Sequence, residues 1–224
     1  MTKLQRIAAN VAAVRLDIAV ACTRSGRDPA GVTLVAVTKT QNPEVLAALR
    51  SAGVHDFGEN RIEHLHEMVA HGLPGDRWHY IGRVQGRQLA KLVPLVQALH
   101  SLCDPEHVER LARACRQSSR RLAVYVQVNT SGEVSKAGIT AESLPGILAA
   151  IRAQPTLDPV GLMTMAPELG ANADVATVRA CFTRLRELAS RHGLGGLSMG
   201  MSSDLAIAIE EGATVVRVGS RLFA

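Results

Sequence analysis

Two places near the C-terminal end of the chain have the residue types that bind a phosphate. Ser202 and Ser203 precede a helical run at Asp204–Glu211, so their hydroxyls and the first free N–H groups of that run form a potential anion site. Gly219 and Ser220 follow an apolar, strand-like run. A glycine there lets backbone N–H groups approach an oxyanion, and a serine adds a hydroxyl donor. The pair of places predicts a site for a phosphorylated ligand.

Two cationic residues could act on such a ligand. Lys39 ends the strand-like run LVAVTK. Apolar surroundings disfavour the charged form of a lysine, which frees its amine as a nucleophile that can form a Schiff base with an aldehyde. The alternative is that Lys39 is simply the first solvated residue beyond a strand. Arg217 lies among valines and needs a partner, because an unpaired buried charge costs several kcal/mol; a structural salt bridge is the alternative interpretation.

A lysine together with phosphate sites indicates pyridoxal 5'-phosphate (PLP). The aldehyde of PLP would bond Lys39, and backbone donors would hold its phosphate. Arg217 would then face the pyridine nitrogen. Because an arginine stays charged and can only donate, it would keep that nitrogen unprotonated.

Three further residues are predicted to contact the cofactor, each with a plainer alternative. His79, in WHYIG, could lie beside the ring or be a hydrogen-bonded structural histidine. Asn60, in FGEN, could position a ring oxygen or cap the helix that begins at Arg61. Met163, in GLMTM, could contact the ring or fill the core. The predicted cofactor-binding residues are Lys39, Asn60, His79, Met163, Ser202, Arg217, Gly219 and Ser220, with no established catalytic residue and no metal ligand.

The elements that must position these residues alternate between strand and helix. The predicted strands are Thr33–Thr38, Val54–Phe57, Trp78–Ile81, Ala98–Leu102, Leu122–Asn129, Pro159–Met163, Leu197–Met199 and Thr214–Val218. The predicted helices between them are Pro43–Ser51, Arg61–Ala70, Gln85–Val93, Pro105–Ser118, Ala141–Ala153, Ala173–Arg191 and Asp204–Glu211, after an N-terminal amphipathic helix. This rhythm predicts a parallel sheet closed into a (β/α)8 TIM barrel, as one domain over residues 1–224. An open doubly wound sheet is the alternative, but no GxGxxG follows the first strand.

The barrel prediction also says which side chains meet. Residues two apart on a strand share a face, and barrel enzymes keep their sites at the carboxyl ends of the strands. If the polar faces point inward, five side chains gather at that mouth: Lys39, Asn60, His79, Asn129 and Arg217.

Charge and cysteine content limit the function classes. The net charge of +5 and the pI near 9.4 come from basic residues spread along the chain. One cluster lies on a predicted helix and its end: Arg110, Arg113, Arg116, Arg120 and Arg121. No nucleic-acid motif or aromatic platform accompanies it, so a solvated helix face is the favoured interpretation. The four cysteines have no metal spacing and the apolar runs are short. We therefore expect a cytoplasmic protein without a membrane segment, and no nucleic-acid partner.

The motifs together resemble those of a known family. They are VAVTKTQ around Lys39, FGEN at 57–60, WHYIG at 78–82, NTSGEVSKAG at 129–138, GLMTM at 161–165, and SMGMSSD followed by VRVGSRLF near the C-terminal end. Over nearly its whole length the chain resembles the pyridoxal phosphate homeostasis proteins, the single-domain relatives of the alanine racemase N-terminal barrel.

The resemblance implies a function as well as a fold. It implies Lys39 as the Schiff-base lysine, Arg217 facing the pyridine nitrogen, and Ser202, Gly219 and Ser220 around the phosphate. It implies a cytosolic protein that handles PLP supply without established catalytic turnover, possible PLP-dependent apoenzyme partners, and a monomer. One departure is Gln88, which stands where the family usually has a lysine, and it leaves open any transfer role of that lysine.

Three other functions stay open from the sequence. An amino-acid racemase needs an acid/base group on each face of the ring, and its relatives use a tyrosine from a second domain for which this chain has no room. A Schiff-base aldolase without cofactor would explain the barrel, Lys39 and the phosphate site but leaves Arg217 unexplained. A regulatory protein with an idle cofactor pocket is the third.

Overall fold

Eight parallel strands close into one barrel in the order of the chain. The structure is a computed structural model that describes residues 2–133, 136–170 and 173–224. The strands are β1 (Thr33–Val37), β2 (Asp56–Glu59), β3 (Arg77–Tyr80), β4 (Ala98–Leu102), β5 (Leu122–Gln127), β6 (Leu157–Met163), β7 (Gly196–Ser198) and β8 (Val215–Val218). Each pairs with the next, and β8 pairs with β1. The predicted (β/α)8 barrel is therefore confirmed.

Helices cover the outside of the barrel. They are α1 (Lys3–Arg24), α2 (Val45–Ser51), α3 (Ile62–Ala70), α4 (Leu89–Leu92), α5 (Glu106–Gln117), α6 (Leu144–Arg152), α7 (Val175–Arg191), α8 (Leu205–Glu210) and α9 (Ser220–Phe223). The predicted helix Gln85–Val93 is reduced to α4 between two short 3-10 turns, because Gly86 and Pro94 interrupt it. Within the described ranges, no helix is both long and apolar enough to cross a membrane.

The main apolar core lies between the sheet and the helices. Strand residues that alternate outward, such as Leu34, Ala36 and Phe57, belong to it, and Phe57 packs against Trp78 with ring centroids 5.1 Å apart. Burying a side chain such as Phe57 contributes about 1.5–3 kcal/mol. The intervening residues, such as Val35, point into the barrel, where a Cβ at Gly58 would meet the Val35 side chain at 2.9 Å. The interior of the barrel is therefore an environment separate from this core.

Helix α1 ties the two ends of the chain together. It begins at a capping box in which Thr2 and Gln5 each bond the other's backbone N–H. Its Asn10 side chain donates to the carbonyl oxygens of Leu222 and Ala224 at 3.2 Å, and Asp17 accepts from Arg221. The segment that follows β8 is thus held against the outside of the barrel.

Candidate functional site

The neighbouring strands β1 and β8 bring the two ends of the predicted site together. Val35 pairs with Arg217 and Ala36 with Val218, so the turn after β1 and the Gly219–Ser220 segment leave the barrel side by side. A Cβ at Gly219 would lie 3.4 Å from both the Cβ and the carbonyl oxygen of Val37, so a larger residue would crowd the strand that leads to Lys39. Lys39 itself is exposed in a turn rather than surrounded by apolar residues, contrary to the expectation from its strand.

The two predicted phosphate segments meet through their serines. The Ser220 hydroxyl donates to the Ser202 hydroxyl at 3.0 Å. The loop before α8 reaches this position through Gly200, whose φ of +94° is a conformation that favours glycine, and a Cβ there would lie 2.6 Å from the Ala208 side chain. Two adjacent hydroxyls from different segments are a donor set that suits a phosphate.

Arg217 is buried inside the barrel and bonded only to neutral groups. Its guanidinium donates to the Ser198 hydroxyl at 2.6 Å and to the Thr164 carbonyl oxygen at 3.0 Å. No carboxylate pairs with it among the described residues, so the alternative of a structural salt bridge is wrong. Burial lowers its pKa to about 10, while the charge of Asp204 works in the other direction. Arg217 therefore stays a cation at neutral pH, with further donors for a ligand.

A chain of polar side chains crosses the barrel from Arg217 to the amino-terminal end of β2. Ser198 lies 2.7 Å from Nδ1 of His100, Nε2 of His100 lies 2.9 Å from Nδ1 of His79, and Nε2 of His79 lies 3.0 Å from Asp56. With both imidazoles neutral, every N–H and O–H donor in this series meets an acceptor. His79 donates to Asp56, His100 donates to His79, and Ser198 donates to His100 while accepting from Arg217. This series of hydrogen bonds fixes the orientation of the Arg217 guanidinium.

Burial sets the charge states along this chain. Burial, together with the nearby charge of Arg217, holds the pKa of His100 well below 6.5, so this imidazole is neutral. Burial works to raise the pKa of Asp56, but hydrogen bonds from His79 and Arg77 lower it below its usual value. The ring of Tyr125 stacks on His100 at a centroid distance of 4.4 Å.

A second buried cluster brackets the Lys39 turn. The Glu59 carboxylate, fully buried, accepts from the Thr38 hydroxyl and lies 2.8 Å from Nδ1 of His64. Nε2 of His64 lies 3.0 Å from the carbonyl oxygen of Gln41. One carboxylate–imidazole pair therefore contacts the chain on both sides of Lys39.

The remaining predicted residues are Asn60, Met163 and His79. Asn60 follows β2, where its carbonyl accepts from Tyr80, but helix α3 begins without a side-chain cap, so the capping alternative is wrong. Met163 is buried on β6, next to Thr164. Both ring nitrogens of His79 are engaged within the protein, which fits its structural alternative. The expected gathering of five side chains at the mouth is therefore only partial.

Asn129 differs most from its expected place. Its amide donates to the carbonyl oxygens of Glu133 and Lys136, and its carbonyl accepts from Ser131 and Gly132. The side chain organises its own loop because β5 ends at Gln127, two residues earlier than predicted. The expectation that Asn129 faces the mouth beside Lys39 is thus corrected.

Several functional candidates escaped the sequence reasoning: Asp56, Glu59, His64, His100 and Ser198. A usable signal existed for His100, a single histidine in the middle of the apolar strand ALHSL. For Glu59 the signal was a carboxylate inside a fully buried strand. Such groups require partners when buried, and the partners lie on other elements.

Known proteins share the fold and much of the sequence of this chain. The alanine racemase N-terminal domain family matches residues 3–224. The pyridoxal phosphate homeostasis protein of Pseudomonas aeruginosa is 41% identical over 230 residues, which cover 98% of this chain and 96% of that protein. The structure of PipY from Synechococcus elongatus with PLP bound is 30% identical, with a TM-score of 0.84 over 97% of this chain and 100% of PipY.

A more distant likeness concerns the fold alone. The alanine racemase from Corynebacterium glutamicum superposes with a TM-score of 0.76 at 17% identity, over 98% of this chain and 61% of the racemase. The barrel is therefore of the alanine racemase N-terminal type, and the resemblance read from the motifs is confirmed.

Proposed function

The chain belongs to the alanine racemase N-terminal domain family and, within it, to the pyridoxal phosphate homeostasis proteins, and from that premise we propose that it binds PLP on Lys39. The cofactor would be held as a Schiff base, and the protein would serve the supply of PLP rather than catalytic turnover. The PLP bound to PipY and the names of the curated relatives support this function.

One observation carries the proposal within this chain. The β1–β8 pairing sets the turn that bears Lys39 beside the Gly219–Ser220 segment, and Ser220 bonds Ser202 from the other phosphate loop. An amine and a paired hydroxyl site at one edge of a barrel suit a ligand that carries both an aldehyde and a phosphate. PLP supplies those two groups, with the aldehyde bonding a lysine amine.

Each remaining residue has a definite proposed role. Arg217 would donate to the pyridine nitrogen, oriented from behind by Ser198. Ser202, Gly219 and Ser220 would hold the phosphate, and Asn60 and Met163 would contribute to the ring site. Because both nitrogens of His79 are engaged, this residue would act on the site through His100 and Ser198, not as a direct hydrogen-bonding ligand.

The placement of the two tyrosines favours binding over racemisation. Tyr80 donates its hydroxyl to the Asn60 carbonyl, and Tyr125 is stacked on His100 within the barrel. A racemase needs a second acid/base group opposite the lysine, and the bond to Asn60 and the stacking on His100 commit the two tyrosines to other contacts. We therefore propose a binding protein and not an amino-acid racemase.

The test is the absorption spectrum of the purified protein with added PLP, before and after borohydride reduction, followed by peptide mapping. We expect a visible band that borohydride removes and a label on Lys39. Lys39→Ala should lose the label, whereas Lys91→Ala, which removes an exposed lysine of α4, should keep it. Absence of the band in the wild type would overturn the proposal and favour the aldolase alternative.

We also propose a cytoplasmic location for this protein. The four cysteines are free, and three of them are buried, as expected for a cytoplasmic protein. We propose a monomer that passes PLP to apoenzymes or buffers it. Sedimentation velocity at micromolar concentration tests the oligomeric state, and PLP transfer to an apoenzyme, compared with the rate of free release, tests the delivery.

A further inference from the structure

The Lys39 turn is a small structure with its own supports. Its ends are joined by the Gln41 N–H, which donates to the Thr38 carbonyl oxygen at 2.7 Å. Lys39 and Thr40, between them, are exposed. The turn itself therefore has little packing of its own, and whatever holds Thr38 and Gln41 also sets where the Lys39 side chain begins.

The contacts of His64 determine where its protons are. Nε2 faces the Gln41 carbonyl, which can only accept, so Nε2 carries a hydrogen. Nδ1 faces the second oxygen of Glu59, whose first oxygen already accepts from Thr38. With Glu59 ionised, Nδ1 must also carry a hydrogen. His64 is then an imidazolium that donates from both nitrogens, and the buried pair is neutral as a whole.

The electrostatic surroundings support the charge of His64, whereas the burial of Glu59 opposes the ionisation of its carboxyl group. Burial works to lower the pKa of His64, but its hydrogen bond to Glu59 and the charges of Glu59 and Glu67 raise it above 6.5. Burial raises the pKa of Glu59 against the bonds from Thr38 and His64. The turn contributes no titratable group to the contact, only the Thr38 hydroxyl and the Gln41 carbonyl.

We propose that Glu59 and His64 are positioning residues for Lys39. His64, as an imidazolium, bonds Gln41 at one end of the turn and also bonds Glu59, which accepts from Thr38 at the other end, so that the pair clamps the turn. The role rests on the proposed function of Lys39 as the PLP-binding amine. The clamp presents an exposed lysine from a fixed base, since β2 holds one end of the turn through Glu59 and α3 holds the other through His64. Loss of the imidazolium proton leaves Nδ1 facing a carboxylate without a hydrogen, and the clamp opens.

The first test uses the protein without PLP, so it does not depend on the proposed function. Nitrogen-15 NMR of the histidine rings at pH 7 should show both nitrogens of His64 protonated, with assignment from His64→Gln. In Glu59→Gln the same ring should become neutral. A neutral His64 ring in the wild type would overturn the proposal. If His64→Gln does not fold, the ring is assigned from the signals that change in Glu59→Gln.

The second test measures the turn itself. Hydrogen exchange of the Gln41 amide should be about tenfold faster in His64→Gln than in the wild type, the change expected for losing a bond to a charged group. His66→Gln is the matched control, because His66 lies exposed on the same helix and is not among the described residues that bond Thr38 or Gln41. Equal exchange in both variants would overturn the clamp.

The third test links the clamp to the site. Borohydride trapping of PLP on Lys39 should be about tenfold slower in His64→Gln and unchanged in His66→Gln. Trapping at the wild-type rate in His64→Gln would overturn the positioning role. If the wild type traps no PLP, the proposed function and the positioning role fall together, while the ring protonation and amide exchange still report whether the clamp exists.

Discussion

Arg217 and Ser220 are three residues apart, yet they occupy opposite surroundings. Arg217 lies inside the barrel, 4% exposed, in a bonded chain that continues through Ser198 and His100. Ser220 lies at the rim, exposed, with one hydroxyl bond to Ser202. In the dry interior each polar atom must be satisfied, whereas at the rim water can replace any partner. Replacing an interior polar residue therefore changes stability according to the groups that it leaves unsatisfied, whereas replacing a rim residue affects function almost alone.

Replacing His100 should have the largest effect on stability. In His100→Leu, Nδ1 of His79 and the Ser198 hydroxyl lose their partner inside the barrel, and each unsatisfied group costs about 1–3 kcal/mol. We expect the free energy of unfolding, measured in urea, to fall by about 3 kcal/mol. His66→Leu, on the exposed face of α3, should change it by less than about 0.5 kcal/mol. A loss below about 1 kcal/mol in His100→Leu would mean that the interior hydrogen bonds do not depend on His100 for their contribution to stability.

The pH dependence of stability tests the difference between interior and rim residues in a second way. The pKa of His100 is well below its unfolded value of about 6.5, so the unfolded state binds the additional proton. The stability from this group is present above pH 6.5 and is lost as the pH falls below it, by up to about 1.4 kcal/mol per pH unit. Urea titrations from pH 7.5 to 5 should show a shallower slope in His100→Asn. Asp56 contributes in a separate window, because its lowered pKa matters only below its ordinary value near 3.8. Parallel slopes in the two proteins would contradict the buried neutral imidazole.

Arg217→Met should separate stability from binding. The substitution removes a buried charge that no carboxylate neutralises, which favours the folded state. It also takes a donor from the Ser198 hydroxyl and the Thr164 carbonyl oxygen, which opposes that gain. We expect the free energy of unfolding to change by no more than about 1 kcal/mol, while the visible absorbance of added PLP shifts or its binding weakens. A large loss of stability with an unchanged PLP spectrum would assign Arg217 to the scaffold.

Rim serines should have the smallest effect on stability. Ser202→Ala and Ser220→Ala should each change the free energy of unfolding by less than about 0.5 kcal/mol. PLP affinity, measured by titration, should fall about tenfold in each, the effect of one hydrogen bond to a charged group. Ser203→Ala is the control, because the bond from Ser220 goes to Ser202 and Ser203 is exposed. Equal losses at all three positions would mean that the hydroxyl pair is not the phosphate site.

Much of the fold could be predicted because strand and helix periods alternate clearly along this chain. The strand at Ala98–Leu102 was predicted to the residue, and the others within about two residues at their ends. Helix Gln85–Val93 was overestimated, since an apolar pattern does not show that Gly86 and the proline that follows limit the regular helix to four residues.

The rim of the site could be predicted from the sequence, whereas its interior could not. Its rim follows from short motifs, because Lys39 and Gly219–Ser220 each end a strand that the sequence marks. The interior does not, because its bonds join strands far apart in the chain; His100 and Ser198 are separated by 98 positions. Alternation could place His79 inward but could not choose Asp56 and His100 as its partners. The protonation of His64 likewise depends on a carbonyl oxygen from another element.

The pairing of β1 with β8, which closes the barrel, determines when during synthesis the site can form. These strands have the greatest sequence separation of any pair in the barrel, so their pairing carries the highest loop-closure cost and must wait for synthesis to reach β8. Lys39 emerges from the ribosome early, but its neighbours at Gly219 and Ser220 emerge nearly last. For most of translation the nascent chain therefore has Lys39 without the Gly219–Ser220 segment beside it, and the proposed binding of PLP on Lys39 would require a closed barrel.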